Sequence, residues 1–566
     1  MMFTSDVALS YFHNPGNEPL HYLTIGQLAS TAATRWPDNV AFISVLDEAR
    51  FTFRDIDEQA LKLAAGLLDL GLMPGDRVGL CSPNCYEWLV TLVATAKAGL
   101  IMVSMNPSYM AHEIEHCLDK VGMKAIIVDE SYKTQLYYKM LCDIVPGLST
   151  LPENTTISCN KLPELSHVIV LSEKHLPGSY RFCDILERTT NYHRVLQLQA
   201  KLRPEDIVVI QFTSGTTASP KAVPLSHFSL TNNSYFYGKR LGFDKKHFKI
   251  LAQSPFFHVL GFVGAMLPSL IFGVTLVLPS RTFSVANSAE TIKKEKCTML
   301  IGTPTMFLDL CGYVERIPVE ERSQYISPEL VLCGGAICSS ELVRKIKNIF
   351  NAKVQSAYGL TEATGAVAQS TLEDNEDQIT KTVGKVSDHM EVKVVDADGF
   401  TVPLGMAGEL WIRSYSNMTG YWEDKENTDE ILNQDGWLKS GDQFIMWENG
   451  YGQVVGRIKE MIIRGGENIS PKEVEEYLVS HPDIIDAQVY GVSNERLGEE
   501  VGCSLRLTPG AKLTEQEVKD FCKDKIAYFK IPKYFEFLEE FPKTGSGKVQ
   551  KFKLREEMEK KLGLRK

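Results

Sequence analysis

The sequence is short of several things, and each shortage removes a class of answer. Its twelve cysteines contain no C-x-x-C pair. Cys81 and Cys85 are the nearest to one, with no second pair to match, so neither a zinc ribbon nor a disulfide framework is encoded and reduced buried thiols are expected. Positive charge is in deficit. Sixty Lys and Arg face 71 Asp and Glu, a net charge of -11, and such a surface does not attract nucleic acid or anionic lipid as a whole. Fixed-period repeats and low-complexity tracts are absent. The first residues, MMFTSDVALSYFHNPG, lack the basic and apolar blocks of a secretory signal and the arginines of a transit peptide. The last, GLRK, are not a peroxisomal tripeptide. Long apolar runs are lacking except one, VLGFVGAMLPSLIFGVTLVL (259–278). Gly261, Gly264, Pro268 and Gly273 interrupt it and its second half is β-branched. It predicts a buried helix followed by a buried strand, with no transmembrane span.

What remains is an intracellular chain of 566 residues, long enough for two or more domains. Short apolar runs alternate with helical patterns: DRVGLC before YEWLVTLVATAKAG, LIMVS before MAHEIEHCLDKVG, then KAIIVD, DIVVIQF, CTMLIG, ELVLCGG and KVQSAYG. This rhythm predicts an α/β fold with parallel-sheet layers covered by helices. After about residue 383 the pattern changes to MEVKVVDADGF, GELWIRS and GYGQVVGR. Asp-Gly and Asn-Gly turns join these strands, as in a small antiparallel, barrel-like subdomain. Beyond Arg457 a smaller α+β C-terminal domain is expected. The domains are read as 1–456 and 457–566.

Two motifs fail on inspection. HEIEH (His112 to His116) has the H-E-x-x-H zinc spacing, but Asp119 and Gly122 stand where such sites continue with glycine and a third histidine. Ile114, Leu118 and Val121 form the buried stripe of a surface helix, with the His and Glu residues expected on its wet side. TGSGKVQK (544–551) lacks the first glycine and the final hydroxyl of a P-loop, so it reads as an exposed glycine-rich loop. EDNED (373–377) is read as a solvated acidic loop.

The chemistry starts at FTSGTTASPKAVPLSH (212–227). Thr213, Ser214, Gly215, Thr216 and Thr217 follow a buried strand directly. Backbone N–H groups and hydroxyls in such a loop cradle an anion, and Lys221 adds charge. Further on, YGLTEA offers an aromatic face (Tyr358), a hydroxyl (Thr361) and a hard oxygen for Mg²⁺ (Glu362). SGDQF supplies Asp442, a carboxylate able to accept two sugar hydroxyls, and GRIKEMIIRGGEN supplies Arg457. Together these are the parts of an ATP site.

In this order, TSGTTASPK, YGLTE, SGD, GRIKEMIIRGGENISPKEVE and PKTGSGKVQK resemble the adenylate-forming superfamily of acyl-CoA synthetases, 4-coumarate–CoA ligases, luciferases and adenylation domains. VSMNPSYMAHEIEHCLDKVGMKAII, IQFTSGTT, GTPTMF and FKIPKYFEF are most similar to the medium-chain acyl-CoA synthetases grouped as family member two. The resemblance implies a two-step ligase using ATP, Mg²⁺, coenzyme A and a fatty acid. By position, Thr213 to Thr217 and Lys221 would hold the β- and γ-phosphates and Tyr358 the adenine. Thr361 would meet the α-phosphate, Glu362 the Mg²⁺, and Asp442 and Arg457 the ribose. Lys548 matches the lysine bridging carboxylate and reacting phosphate, and Lys459 the hinge of a swinging C-terminal domain. Arg464, Gly465, Gly466 and Glu467 match the thioester-site loop. Phe256, Phe257, His258, Gly334, Gly335 and Ala336 are expected to line the acyl pocket, and His258 is expected with Lys548 and Thr361 among the catalytic residues. The chain departs from the family at Ala218 and Ala222, where glycine is usual. A left-handed backbone at either position would cost alanine about 1 kcal/mol, so a non-catalytic nucleotide-binding relative stays open, as does a luciferase-like oxygenase. The relatives are mitochondrial, but no leader is visible. Acid identity and oligomeric state are not encoded legibly.

Overall fold

The computed structural model describes residues 8–564, apart from 214–219, 336, 337, 339, 459, 460, 470, 509, 543–548 and 550. The chain forms two compact units. One takes Met1–Pro107, Cys117–Phe212 and Ala222–Gly456; the other takes Ser108–His116, Thr213–Lys221 and Arg457–Lys566.

Among the described residues the first unit contains three sheets. The predicted apolar runs Arg77–Cys81, Ile101–Ser104, Ala125–Asp129, His167–Leu171 and Ile207–Thr213 lie in a seven-stranded sheet with parallel pairing. A nine-stranded sheet is parallel through Lys249–Ala252, Met299–Gly302, Leu330–Gly334 and Lys353–Leu360, with antiparallel strands at both ends. Parallel strands are buried on both faces, which is why these runs are apolar without alternation. The third sheet is five-stranded, with antiparallel pairing through Met390–Val395, Ala407–Ser414 and Leu438–Met446 and with Tyr11–Asn14 on its edge. It is the half-barrel that the switch to Asp-Gly and Asn-Gly turns predicts.

Helices cover the parallel sheets for local reasons. Phe53–Asp69 starts at a capping box in which the Thr52 side chain accepts from Asp55 N and Asp55 accepts from Thr52 N. Its Phe53, Ile56, Ala60, Leu63, Ala64 and Leu67 repeat every three or four residues and are all buried. A fully buried Phe or Leu in such a face contributes roughly 1.5–3 kcal/mol.

The apolar run 259–278 divides as expected, into helix then the strand Thr275–Leu278. The helix contains a feature the sequence does not announce, a five-residue π turn at Phe262–Met266 just before Leu267–Phe272. No helix among the described residues is long and apolar enough to cross a membrane.

Two expectations change. EDNED is not merely solvated. Asp374 accepts from Thr371 and from the Tyr451 hydroxyl at 2.7 Å, and Asn375 caps the helix Glu376–Lys381 with Gln378. HEIEH does lie on a helix, Ala111–Lys120, with Ile114, Leu118 and Val121 buried. Glu113, however, is 4% exposed rather than wet, because it pairs with Lys530 Nζ at 2.6 Å. That lysine also holds Glu473, and all three residues belong to the second unit. No cluster of three metal-ligating side chains occurs among the described residues. All twelve cysteines are free, and ten are buried.

The second unit is α+β. Ile484–Asn494 and Gly498–Leu507 form a long antiparallel pair, with Tyr534–Phe537 parallel to the latter. The helices Pro471–Val479 and Glu515–Cys522 contribute Val474, Leu478 and Val518 to a core with Val489, Val501 and Leu505.

Candidate active site

Lys353–Leu360 pairs in parallel with Leu330–Gly334 and antiparallel with Gly365–Gln369. Its end, Tyr358 to Ala363, therefore turns back sharply. A Cβ on Gly359 would lie 1.7 Å from Gly365 O, so only glycine allows the two backbones this approach. The turn itself has Thr364 at φ 64, held by a hydrogen bond from its hydroxyl to Ser416 O. Thr361 is 8% exposed. Glu362 is fixed twice: its carbonyl accepts from Met418 N at 2.8 Å, and Oε1 accepts from the Tyr421 hydroxyl at 2.9 Å. Burial first, then the Glu362 charge, pushes the Tyr421 phenol up, so it remains a donor at any neutral pH.

Opposite this turn, the Tyr358 hydroxyl donates to Asp442 Oδ2 at 2.6 Å. Asp442 is 3% exposed and lies in the strand Leu438–Met446, just after Gly441 at φ 70. The Tyr358 ring is 6.2 Å from that of Phe444. Anchoring the hydroxyl fixes the orientation of the ring. The aromatic and the carboxylate expected for adenine and ribose are thus one hydrogen-bonded pair.

The loop before His258 is pinned by Asn84. Its Nδ2 donates to Ser254 O and its Oδ1 accepts from Phe256 N, both at 2.9 Å. Phe256 is fully buried, edge-on to Phe42, so the structure uses it as a core anchor and leaves Phe257 and His258 as the half-buried members of the expected acyl lining. His258 caps its own helix, with Nδ1 accepting from Leu260 N. Burial pushes its imidazole down to about 4, so it is neutral at pH 7 and offers a carboxylate no charge. Gly334 ends the strand Leu330–Gly334 and Gly335 follows at φ 80. A Cβ at Gly334 would come 3.2 Å from Leu260 Cδ1, so the His258 segment lies over the glycines. Ala336 lies outside the described residues.

Thr213 ends Ile207–Thr213 and Lys221, 7% exposed, begins Lys221–Ser226. Ser214, Gly215, Thr216, Thr217 and Ala218 between them lie outside the described residues, as do Lys459 and Lys548. Ala222 sits inside the second of these strands, is not among the residues with positive φ, and its carbonyl accepts from Trp422 N. The left-handed condition that would make alanine costly is therefore not met at 222. Arg457 ends Gly452–Arg457.

In the second unit, Arg464 and Glu467 close a two-residue hairpin. Gly465 (φ 58) and Gly466 (φ 90) fill the turn, the left-handed pair that such a tight connection requires. The Arg464 guanidinium is held by Glu500.

Sequence reasoning misses Tyr421 and Asn84. Nothing in GYWED or SPNCYEW separates a tyrosine that holds Glu362, or an asparagine that pins the loop before His258, from ordinary core and turn residues.

Comparison with known proteins places the chain in a family. The chain is 40% identical to the mitochondrial medium-chain acyl-CoA ligase ACSF2 of Danio rerio, over 98% of this chain and 91% of that protein. To its Homo sapiens counterpart it is 39% identical, over 100% and 92%. Among solved structures, the amide bond synthetase McbA from Marinactinospora thermotolerans superposes with a TM-score of 0.79 at 24% identity, covering 94% of this chain and 99% of that one. A variant of o-succinylbenzoate CoA synthetase from Bacillus subtilis gives 0.78 at 23% identity, covering 95% and 99%. At those identities the likeness is one of fold. Residues 29–422 match the model for AMP-binding enzymes, and residues 473–548 match the model for the AMP-binding enzyme C-terminal domain. With both models met in order along one chain, the protein belongs to the family of AMP-binding enzymes.

Proposed function

We propose that this protein is an AMP-forming acid–thiol ligase, an acyl-CoA synthetase for a fatty acid of medium chain length. The observation that carries the reading is the Tyr358–Asp442 pair beside the fixed carboxylate of Glu362, on a chain alike over its whole length to medium-chain acyl-CoA ligases.

In the first half-reaction an oxygen of the substrate carboxylate attacks the α-phosphorus of ATP. The bond to the bridging oxygen breaks, and pyrophosphate leaves with the electron pair. Tyr358 and Asp442 position the nucleoside, while Thr361 and Lys221 meet its phosphates. The neutral His258 and Leu260 over Gly334 offer the acyl chain an apolar wall. In the second half-reaction the coenzyme A sulfur attacks the acyl carbon of the adenylate and AMP leaves.

Glu362 fits a metal role. Oε1 is used by Tyr421, and Oε2 has no hydrogen bond to a described residue. One carboxylate with the phosphate oxygens of the nucleotide suffices for Mg²⁺, which when bound offsets polyphosphate charge.

We assign residues 1–456 to the adenylating domain and 457–566 to a domain that turns about Lys459. It brings Lys548 to the first reaction and the Arg464–Glu467 hairpin to the second. The mitochondrial address of the relatives is proposed for this chain too, to be tested by fractionation.

The deciding assay is pyrophosphate release with fatty acids of increasing length, followed by coenzyme A-dependent thioester formation. Release without thioester, with light emission in air, would favour an oxygenase. ATP binding with neither product would favour a non-catalytic relative.

A further inference from the structure

We propose that a cavity of about 550 Å³ at the starting ends of the parallel strands is a second site for a fatty acid, with the carboxylate at Lys245 and Lys353 and the aliphatic tail against Ile326 and Leu372. It is separate from the nucleotide site and does not depend on the ligase reading.

The cavity opens where the strands Leu330–Gly334 and Lys353–Leu360 begin, and Leu330 and Lys353 are register partners there. The same two strands carry Gly334 and Tyr358 toward their other ends. Lys353 and Tyr358 are five steps apart along one strand, about 17 Å at a rise of about 3.3 Å per residue. A ligand in this cavity therefore sits at the opposite end of the sheet from the proposed adenine contact.

Its walls are apolar and its rim is cationic. Leu241, Phe248, Leu330 and Phe350 are buried behind it, Leu372 is half-buried, and Ile326 is 48% exposed. Four charged side chains line it: Lys245, Lys246, Lys353 and Glu329. Lys246 is already engaged, paired with Glu329 and lying over the Phe248 ring at 4.9 Å. Lys245 and Lys353 are exposed and pair with no carboxylate among the described residues. A lysine stem adds apolar surface beneath its ammonium group, so both cations suit the head of an amphipathic ligand.

The charge selects the class of ligand. The helices His227–Leu241 and Ser340–Phe350 both end at this cavity, and each C-terminus carries about half a negative charge. With Glu329 they offset two of the three lysines and leave about one positive charge. That matches a monocarboxylate and falls short of a polyphosphate or a nucleotide. Phe248 is capped by Lys246 and Phe350 is fully buried, so neither offers a base a free ring face. A free phosphate would gain nothing from Ile326 and Leu372. A carboxylate on an alkyl chain uses both parts, and the volume lies in the range of small-molecule sites.

The test is calorimetric titration of the full-length protein with dodecanoate. The proposed acyl-adenylate site is first saturated with a non-hydrolysable octanoyl-adenylate in which a sulfamate replaces the phosphate. One dodecanoate per chain should still bind. The double variant Lys245→Glu/Lys353→Glu should weaken it about tenfold or more, two exposed ion pairs being removed and reversed. Ile326→Asp should weaken it comparably, and dodecanol should bind more weakly than dodecanoate. All three substitutions lie on exposed side chains, and urea midpoints confirm that the variants fold. A dodecanoate carrying a photoreactive diazirine at its tail should label the peptides containing Ile326 and Leu372. No binding beside the adenylate analogue overturns the proposal, as does an affinity unchanged by charge reversal or labelling confined to other peptides. Capture of the protein by phosphatidylglycerol vesicles, lost in the same variants while dodecanoate does not bind, would overturn it in favour of a membrane surface. Dodecanoate binding with the expected losses, on a protein that releases no pyrophosphate with any acid, would overturn the ligase reading and leave this site standing.

Discussion

If the Tyr358–Asp442 contact belongs to a nucleotide site, breaking it from either end should cost the same free energy once, not twice. A phenol-to-carboxylate hydrogen bond of 2.6 Å to a carboxylate only 3% exposed is of the charge-assisted kind, worth about 1.5–3 kcal/mol. Tyr358→Phe keeps the ring and its packing near Phe444 but removes the donor. Asp442→Asn keeps the shape but removes the charge, and with it the acceptor proposed for the ribose. We expect the apparent KM for ATP to rise about tenfold in the first and about a hundredfold in the second, at 1.4 kcal/mol per decade. The double variant should resemble Asp442→Asn alone, giving a coupling energy of about 1.5 kcal/mol. Pyrophosphate release against ATP concentration measures all four proteins, and urea unfolding separates loss of fold from loss of binding. An unchanged KM in Asp442→Asn would refute the reasoning. Additivity within about 0.5 kcal/mol would also refute it, because independent effects do not describe one hydrogen bond serving one ligand.

Four further outcomes are expected. His227 is pushed down to about 3, and His167 and His258 to about 4, in each case first by burial. The fold thus binds these protons less tightly than the unfolded chain. Their stabilisation is complete above the ordinary value of 6.5 and is lost as pH falls from there to 4 and then 3. For His227, which is 2% exposed and accepts from Ile25 N, the loss by pH 3 is on the order of 4 kcal/mol; urea midpoints that stay flat from pH 6.5 to 4 would contradict this. Gly261→Ala should lower the unfolding free energy by about 3 kcal/mol, since its Cβ would meet Pro255 O at 2.2 Å, and a near-native melting curve would show that the loop before His258 yields. Ala222→Gly, inside a strand, should cost roughly 0.5–1 kcal/mol of stability and leave the KM for ATP unchanged; a lower KM would mean the departure from glycine matters after all. Lys548→Ala should slow adenylate formation by about 10² to 10³ while sparing thioester formation from supplied adenylate, and normal adenylation with failed thioesterification would reverse the assignment.

The parallel strands are legible in the sequence because burial on both faces writes an unbroken apolar run, as in KAIIVD and DIVVIQF. The break in VLGFVGAMLPSLIFGVTLVL is legible because Pro268 and Gly273 are backbone signals that do not depend on distant residues. The π turn is not, since its residues are equally at home in an α-helix. Glu113 is misread for a different reason. Its helical position is polar, and the cation that lets it be buried, Lys530, lies 417 residues away. The same holds within the site. Tyr358, Glu362 and Asp442 are recognisable by motif, but Tyr421, which aims Glu362, and Asn84, which pins the loop before His258, act through contacts of long sequence separation that leave no local trace.

The edge strand Tyr11–Asn14 ties the beginning of the chain to its middle. Its Tyr11 hydroxyl donates to Glu391, 380 residues on, and the strand pairs with Met390–Val395. A ribosome adding about 5–20 residues per second needs roughly 20–75 seconds to bridge that gap. Throughout that interval the strand has no partner. Val40–Ser44 pairs early with Ala49–Thr52, but its other edge waits for Thr275–Leu278. The nascent protein therefore cannot fold vectorially, half by half, behind the exit tunnel. It emerges with unpaired strand edges that must be shielded for about a minute, and slowing translation upstream of residue 390 should raise aggregation more than slowing it downstream.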